Sequence, residues 1–455
     1  MNYIRTANEF TKNVLFPSGD LSGKYRPSQF NIFFEENGVH YLFNSFFRSL
    51  VKLSDDENIL ADNSLIEIDA HNCSPEMIQL IENGILVPEA RDESKAYMEF
   101  MDLYRNVLPA KKGKTFYKIF TTLQCNARCF YCFEPDHSVH HMSEDTVDAV
   151  FEYIKKTKTD GRISLYWFGG EPLCNIPAID NLCEKLEKEG IEFVSSMVTN
   201  GFLFSQELAK RAKNVWKLKK AQITLDGMDD EHNKRKRYIE DCPNPFAKTI
   251  KNIEYLLNEG VIVTIRLNVD SKNADDIWKL IDYLNDRFAD KKESLNVYPA
   301  LLFEEFFKWR DKKPSESRIE LRKQWVAMRA CLLDNGLMKL QKESLALPTT
   351  HCMSNNPRSA IINYDGKLFA CQNCQEDMSY GNVRDGITDP AMYDRWTINT
   401  VLRDKCKECA LLPECTAFDM CPSKATDCVA EYSDSLIRRL KKYVMDKQSD
   451  TTVMT

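Results

Sequence analysis

Cys125, Cys129 and Cys132 stand at CxxxCxxC spacing in the run TTLQCNARCFYC, residues 121–132. Three thiolates on one short loop can hold three irons of a four-iron cubane, and the spacing supplies no fourth protein ligand. One iron is then open to a small molecule. Downstream, Trp167-Phe168-Gly169-Gly170-Glu171-Pro172 closes an apolar run that begins at Ile163. It reads as a strand end opening into a glycine-rich turn, which offers backbone groups and one carboxylate to a ligand amine. Zinc is the competing reading of the triplet, but a cysteine-only trio with no nearby fourth Cys or His is a poor tetrahedral set.

A second group lies near the other end: Cys352, Cys371, Cys374, Cys406, Cys409, Cys415, Cys421 and Cys428. Eight thiolates suffice for two fully ligated four-iron clusters. The pairs Cys371/Cys374 and Cys406/Cys409 alone would also make a four-cysteine zinc site, which leaves the other four without a purpose. Cys73, Cys174, Cys183, Cys242 and Cys331 fall mostly in apolar or helix-like contexts and read as small buried hydrophobes.

The elements that must position these residues alternate. Strand-like runs at 116–121, 162–167, 193–198, 220–225 and 261–269 are separated by helix-compatible stretches, the first of them capped at Ser143 and carrying Val147, Val150, Phe151 and Ile154 at helical spacing. Such alternation implies parallel strands with crossover helices, and barrels of this kind carry their chemistry at the C-terminal strand ends. The cysteine loop, the GGEP turn, Thr199-Asn200-Gly201 and Thr224-Leu225-Asp226-Gly227 all fall at such ends, and Arg266 and Asn268 lie on the fifth strand. Taken alone, Asp226-Gly227 is also a common turn, and the basic run 232–237 could be a solvated face.

The cysteine triplet, with Tyr131 just before its last member, and GGEP together resemble the radical S-adenosylmethionine (radical SAM) enzymes. The resemblance covers roughly residues 115–300 and implies an α/β fold, an incomplete (β/α)6 TIM-like barrel. It implies that the amino and carboxyl groups of SAM chelate the open iron and that reductive cleavage yields methionine and a 5′-deoxyadenosyl radical. Gly169, Gly170, Glu171 and Pro172 would hold the SAM amine, and Thr224 with Arg235 or Arg237 would approach its carboxylate; Asn200, Asp226, Arg266 and Asn268 are cofactor-binding candidates by their place at the strand ends and on the fifth strand. The family usually carries an arginine four residues after the histidine of this segment, where Lys236 follows His232 here.

The distal cysteines resemble the SPASM extension of radical SAM peptide maturases, with Gly366-x4-Cys371 followed by a CxxC pair and further cysteines. Five residues separate Cys415 from Cys421 where that family typically has three. By resemblance Cys352, Cys371, Cys374 and Cys421 would ligate a first auxiliary cluster, and Cys406, Cys409, Cys415 and Cys428 a second. With the SAM-binding cluster that makes three [4Fe-4S] clusters plus SAM.

Residues 1–110 differ in character, with nine basic and seventeen acidic side chains against a net charge of −7 for all 455 residues. Strand-like residues 30–34 and 40–43 flank a Glu36-Asn37-Gly38 hairpin signal. A helical stretch is expected around 45–53, another from Pro75 with Gly84 past its end, and a short strand at 85–87. This order looks like a winged helix-turn-helix. No helix carries a Lys/Arg stripe, so capture of a peptide leader by strand addition is preferred over a structural cap or DNA binding.

The expected organisation is a winged-helix-like module (1–110), partial barrel (111–305), helical bridge (306–345), cysteine-rich SPASM domain (346–430), and a C-terminal amphipathic helix from about Tyr432 with a frayed tail from 447. A 43% apolar content is ordinary for a folded soluble chain. There is no run of eighteen apolar residues and no apolar stretch at the N-terminus, so a cytoplasmic protein is expected, its sixteen cysteines kept reduced for ligation. The acidic balance argues against nucleic-acid partners, and no membrane contact is expected. The function expected is hydrogen abstraction from a ribosomally made precursor peptide bound through its leader, closing a thioether or carbon–carbon crosslink, with flavodoxin or ferredoxin as electron donor. Alternatives are a sulfatase-maturase-like oxidation of Cys or Ser in a protein partner, and a non-catalytic metal sensor that binds DNA.

Overall fold

A computed structural model describes residues 2–7, 22–53, 65–69, 73–103, 113–132, 138–302, 315–339, 345–347, 352–373, 376–397, 404–415 and 430–452. The chain divides into two compact units, one of residues 112–341 and 358–393, the other of 1–111, 342–357 and 394–455.

The first unit holds the expected barrel strands, all parallel: β1 (Phe116–Thr122), β2 (Ile163–Gly169), β3 (Phe193–Thr199), β4 (Leu218–Leu225), β5 (Ile262–Val269) and β6 (Leu295–Leu301). Between them run α1 (Glu144–Thr157), α2 (Ile176–Lys188), α3 (Gln206–Asn214), the short α4 (Asp229–Lys236), α5 (Pro245–Asn258) and α6 (Ala274–Arg287), followed by α7 (Glu316–Asp334). The cap read at Ser143 forms, its Oγ accepting from Thr146 N, and Asn244 Oδ1 caps α5 in the same way by accepting from Ala247 N.

One face of each strand is sealed, as with Ile163, Leu165 and Trp167 on β2 and Val263, Ile265 and Leu267 on β5. The alternate face is mostly half-buried, through Tyr166, Ser196, Gln222, Thr224, Arg266 and Tyr298. A period of two with one open side is what an incomplete barrel with an accessible interior requires.

The sixth strand has no counterpart among the sequence expectations. Nor does β7 (Ser359–Ile362), which pairs in parallel with β1 on the side away from β2 and leads through an antiparallel hairpin into β8 (Lys367–Phe369), ending just before Cys371. The expected cysteine-rich domain 346–430 is thus divided: its 358–393 part extends the barrel sheet, and its remainder belongs to the second unit.

In the second unit a four-stranded antiparallel sheet has the order 2–5, 50–52, 39–44, 31–36. The hairpin turn falls at Asn37 and Gly38, with φ of 52° and 73°, as its sequence demands. A second sheet joins 66–68, 23–27 and 86–88, with helices Pro75–Glu82 and Glu93–Asp102. The helix expected at 45–53 does not form. Residues 45–47 turn, Arg48 takes φ 64°, and Leu50–Lys52 pairs as a strand with Val39–Asn44, because Leu50 and Val51 are more fully buried there. The C-terminal helix runs Ala430–Thr452, past the expected fraying point at 447. Its Leu436, Leu440 and Val444 share a core with Ile32, Phe34, Tyr41 and Phe43 of the hairpin. No helix among the described residues is long and apolar enough to cross a membrane.

Candidate active site

The GGEP turn is fastened to the cysteine loop through backbone. Gly170 N donates to Thr122 O at 3.1 Å and Glu171 N to Gln124 O at 2.8 Å. Gly169 has φ 125°, and a Cβ on it would stand 2.2 Å from Thr122 O, so only glycine lets the turn lie this close to the end of β1.

The loop is closed from the other side by the end of α4. Arg128 N donates to Lys236 O at 2.9 Å and to Arg237 O at 3.0 Å, and Ile239 N donates to Asn126 O at 2.9 Å. Cys125, Cys129 and Cys132 are all half-buried on this loop, and no disulfide links the described cysteines. Burial first, then the nearby Glu171, pushes the Cys125 thiol up to about 12.

Glu171 is fully buried, and its carboxylate is taken up within the protein. Oε1 accepts from Thr199 Oγ1 at 2.8 Å and Leu173 N at 3.2 Å, and Oε2 from Asn200 N at 2.7 Å. Desolvation outweighs these donors and raises it to about 7. The side chain therefore clamps the ends of β2 and β3 together rather than standing open to a ligand amine, which leaves the half-buried Gly169–Gly170 backbone as the more accessible part of the motif. Asn200 also donates to Asn126 Oδ1 at 2.7 Å, tying β3 to the cysteine loop.

Asp226, at the end of β4, has no exposed surface. Its Oδ2 accepts from Tyr131 OH at 2.5 Å and lies 3.5 Å from Lys236 Nζ. Burial alone would lower the Lys236 ammonium, but Asp226 and then the Cys129 and Cys125 thiols hold it above the ordinary lysine value. His232, one helical turn earlier, is buried neutral: burial takes it down to about 3, and its Nδ1 accepts from Asp226 N at 3.4 Å.

Of the two arginines expected near a SAM carboxylate, Arg235 is held by Asp270 at 2.6 Å and Glu231 at 3.2 Å, while Arg237 is exposed at the left-handed end of α4. The cation brought to the cysteine loop is Lys236, in the place the family gives to arginine. Sequence reasoning missed its role. The signal was the four-residue spacing from His232, which puts both side chains on one helix face. Thr224 pairs in register with Arg266 on the open face, and Arg266 Nε donates to Asn268 Oδ1 at 3.0 Å. Also unforeseen are Asn273, which donates to Asp226 O and Asn268 O at 2.8 Å, and Lys118, whose ammonium lies over the Tyr166 and Phe168 rings at 4.8 and 4.4 Å.

The donor set suits a cluster. Asp226 Oδ1 and Asn126 Nδ2 are buried beside the loop without a hydrogen-bond partner, as groups awaiting a ligand would be. Of the auxiliary candidates, Cys406, Cys409 and Cys415 lie together in residues 404–415, Cys352 and Cys371 fall in different units, and Cys374, Cys421 and Cys428 lie outside the described residues.

Residues 119–284 match the Radical SAM superfamily. The chain is similar to the radical SAM cyclopropyl synthase TigE of Paramaledivibacter caminithermalis, with 23% identity over 254 residues, 52% of this chain and 51% of that protein. It is also similar to the GTP 3′,8-cyclase of Clostridium perfringens, at 29% over 168 residues, 36% of this chain and 50% of the cyclase. The chain thus spans about half the length of these curated relatives. Among solved structures, anSMEcpe with bound AdoMet and the Cp18Cys peptide superposes with a TM-score of 0.55 at 18% identity, covering 75% of this chain and all of that one. Streptococcus suis SuiB bound to its precursor peptide SuiA superposes at 0.50 and 15% identity, covering 88% and 96%. At these identities the likeness is one of fold.

Proposed function

We propose that the protein is a radical SAM peptide maturase that abstracts a hydrogen atom from a ribosomally made precursor to close a thioether or carbon–carbon crosslink. The observation that carries the reading is the fastening of the three-cysteine loop to the Gly169–Gly170 turn on one side and to Asp226 and Lys236 on the other. Cys125, Cys129 and Cys132 would hold the cluster, the Gly169–Pro172 backbone would receive the SAM amine, and Lys236 with Thr224 would face its carboxylate. Cluster and SAM together supply the deoxyadenosyl radical. Arg266, Asn268, Lys118 and Tyr166 line the barrel interior, where a substrate segment would be positioned away from water.

The peptide character of the substrate is supported by two features. Strand 31–36 ends its sheet, so its outer edge is unpaired among the described residues, and Phe33 on it is 44% exposed. Such an edge can take up a leader as an added strand, as a winged-helix-like recognition module would. Second, the fold likeness extends to anSMEcpe and SuiB, both crystallised with peptides. A sulfatase-maturase-like oxidation of a protein Cys or Ser stays the second reading. The further cysteines would hold two auxiliary clusters that accept the electron released on crosslinking, with flavodoxin or ferredoxin as donor to the first. The test is anaerobic incubation of reduced protein with SAM and a candidate precursor: 5′-deoxyadenosine together with a peptide lighter by two hydrogens supports the proposal. Deoxyadenosine formed without any change in precursors carrying basic leaders points to the second reading.

A further inference from the structure

The turn carrying Cys406, Cys409 and Cys415 is built onto the N-terminal module, within one compact unit. Residues 404–415 form successive bends in which Cys409 N donates to Cys406 O, Leu412 N to Cys409 O and Cys415 N to Leu412 O. The free carbonyls on either side of Cys409 are taken by side chains more than 300 residues away. Lys407 O accepts from Ser94 Oγ and from Gln29 Nε2, the latter at 2.9 Å, and Ala410 O accepts from the buried Ser45 Oγ at 2.5 Å.

Cys406 itself packs on the cluster of Phe30, Phe46, Phe47, Tyr97 and Phe100. Next to Cys415, Glu414 pairs with the buried Arg48, whose Nε donates to Leu345 O at 2.7 Å and which closes the Asn44–Ser49 turn through Ser45 O at 2.9 Å. Two side chains of the turn that follows the hairpin, Ser45 and Arg48, thus bond the cysteine turn directly, through Ala410 O and the Glu414 carboxylate.

We infer that the N-terminal module is the scaffold of this cysteine site, so that metal loading at Cys406, Cys409 and Cys415 and the order of the 31–44 hairpin are energetically coupled. The inference rests on the proposed function in taking the site as an auxiliary-cluster site. Ser45, Ser94 and Arg48 are its positioning residues. A peptide added to the hairpin edge would then be sensed at the auxiliary cluster, because coupling between two sites acts equally in both directions.

The test uses the full reconstituted chain. Iron and sulfide per chain are measured first, then iron loss under chelator challenge for wild type and for Ser45→Ala/Ser94→Ala, with electron paramagnetic resonance separating the clusters. Removing two buried hydroxyl bonds should speed loss from this site roughly tenfold, alter its signal and leave the Cys125/Cys129/Cys132 signal unchanged. In the reverse arm, Cys409→Ser should raise amide exchange across residues 31–44 by a comparable factor, while replacing Cys125, Cys129 and Cys132 should not. The reverse arm does not alter the module itself, so it decides the matter even if the serine variant fails to fold. Unchanged exchange in that arm, or wild type without metal at this turn, overturns the inference. A protein that cleaves SAM yet shows no coupling overturns the inference alone and leaves the proposed activity standing.

Discussion

Lys236→Met removes one charge from the centre of the site with little change of volume. In the structure the ammonium lies 3.5 Å from Asp226 Oδ2, both side chains almost fully buried. At that distance and an effective dielectric near 20, opposite unit charges attract by roughly 5 kcal/mol. Removing one partner of such a pair costs about 3–5 kcal/mol, because the other charge is left buried and uncompensated. The variant should therefore lose most of that amount in chemical denaturation. Lys236→Met/Asp226→Asn, which removes both charges, should recover the larger part. SAM affinity separates the ligand role from the structural one: it should fall at least tenfold in both variants and stay near wild type in Lys236→Arg, which restores the arginine typical of the family. Binding is read by equilibrium dialysis on cluster-loaded protein, with iron content as control. Wild-type SAM affinity in the stable double variant would refute the assignment of Lys236 to the SAM carboxylate.

Three further outcomes follow from the same geometry. Glu171→Gln must turn an amide toward one of three donors, so it should cost about 1.5–3 kcal/mol in denaturation and weaken SAM binding tenfold or more by loosening the turn; equal affinity would show the clamp to be irrelevant to the cofactor. His232 has its folded pKa depressed from 6.5 to about 3, so the stability tied to its neutral form is complete above pH 6.5 and lost as pH falls toward 3, by roughly 5 kcal/mol. His232→Asn should flatten the stability profile over that window, measured by denaturation against pH. Phe33→Asp on the outer edge of the hairpin sheet should weaken precursor binding in a fluorescence titration while leaving uncoupled deoxyadenosine formation intact, and wild-type leader binding should weaken as salt rises.

Much of the site could be read from the sequence because its chemistry is local. The cysteine triplet and GGEP sit on single loops, and five strands announced themselves by apolar runs. What escaped depends on distance or on competition between readings. β7 pairs with β1 across some 240 residues, with no local mark of its register. β6 contains Pro299, which argues against a central strand and is tolerated because β6 ends the sheet. The run 45–53 is short enough to suit helix or strand, and burial against the hairpin decided it. Lys236 was hidden in a basic run of which Lys234 and Arg237 do face solvent, and the clamp made by Glu171 became visible only once β3 lay beside β2.

The central claim is tested most directly by reductive SAM cleavage tied to the cysteine loop. Anaerobically reconstituted wild type should hold close to three cubanes and convert SAM to 5′-deoxyadenosine and methionine. Replacing Cys125, Cys129 and Cys132 together with Ala should remove about a third of the iron and all of that cleavage. Unchanged iron with cleavage intact, or stoichiometric zinc in place of iron, would contradict the account.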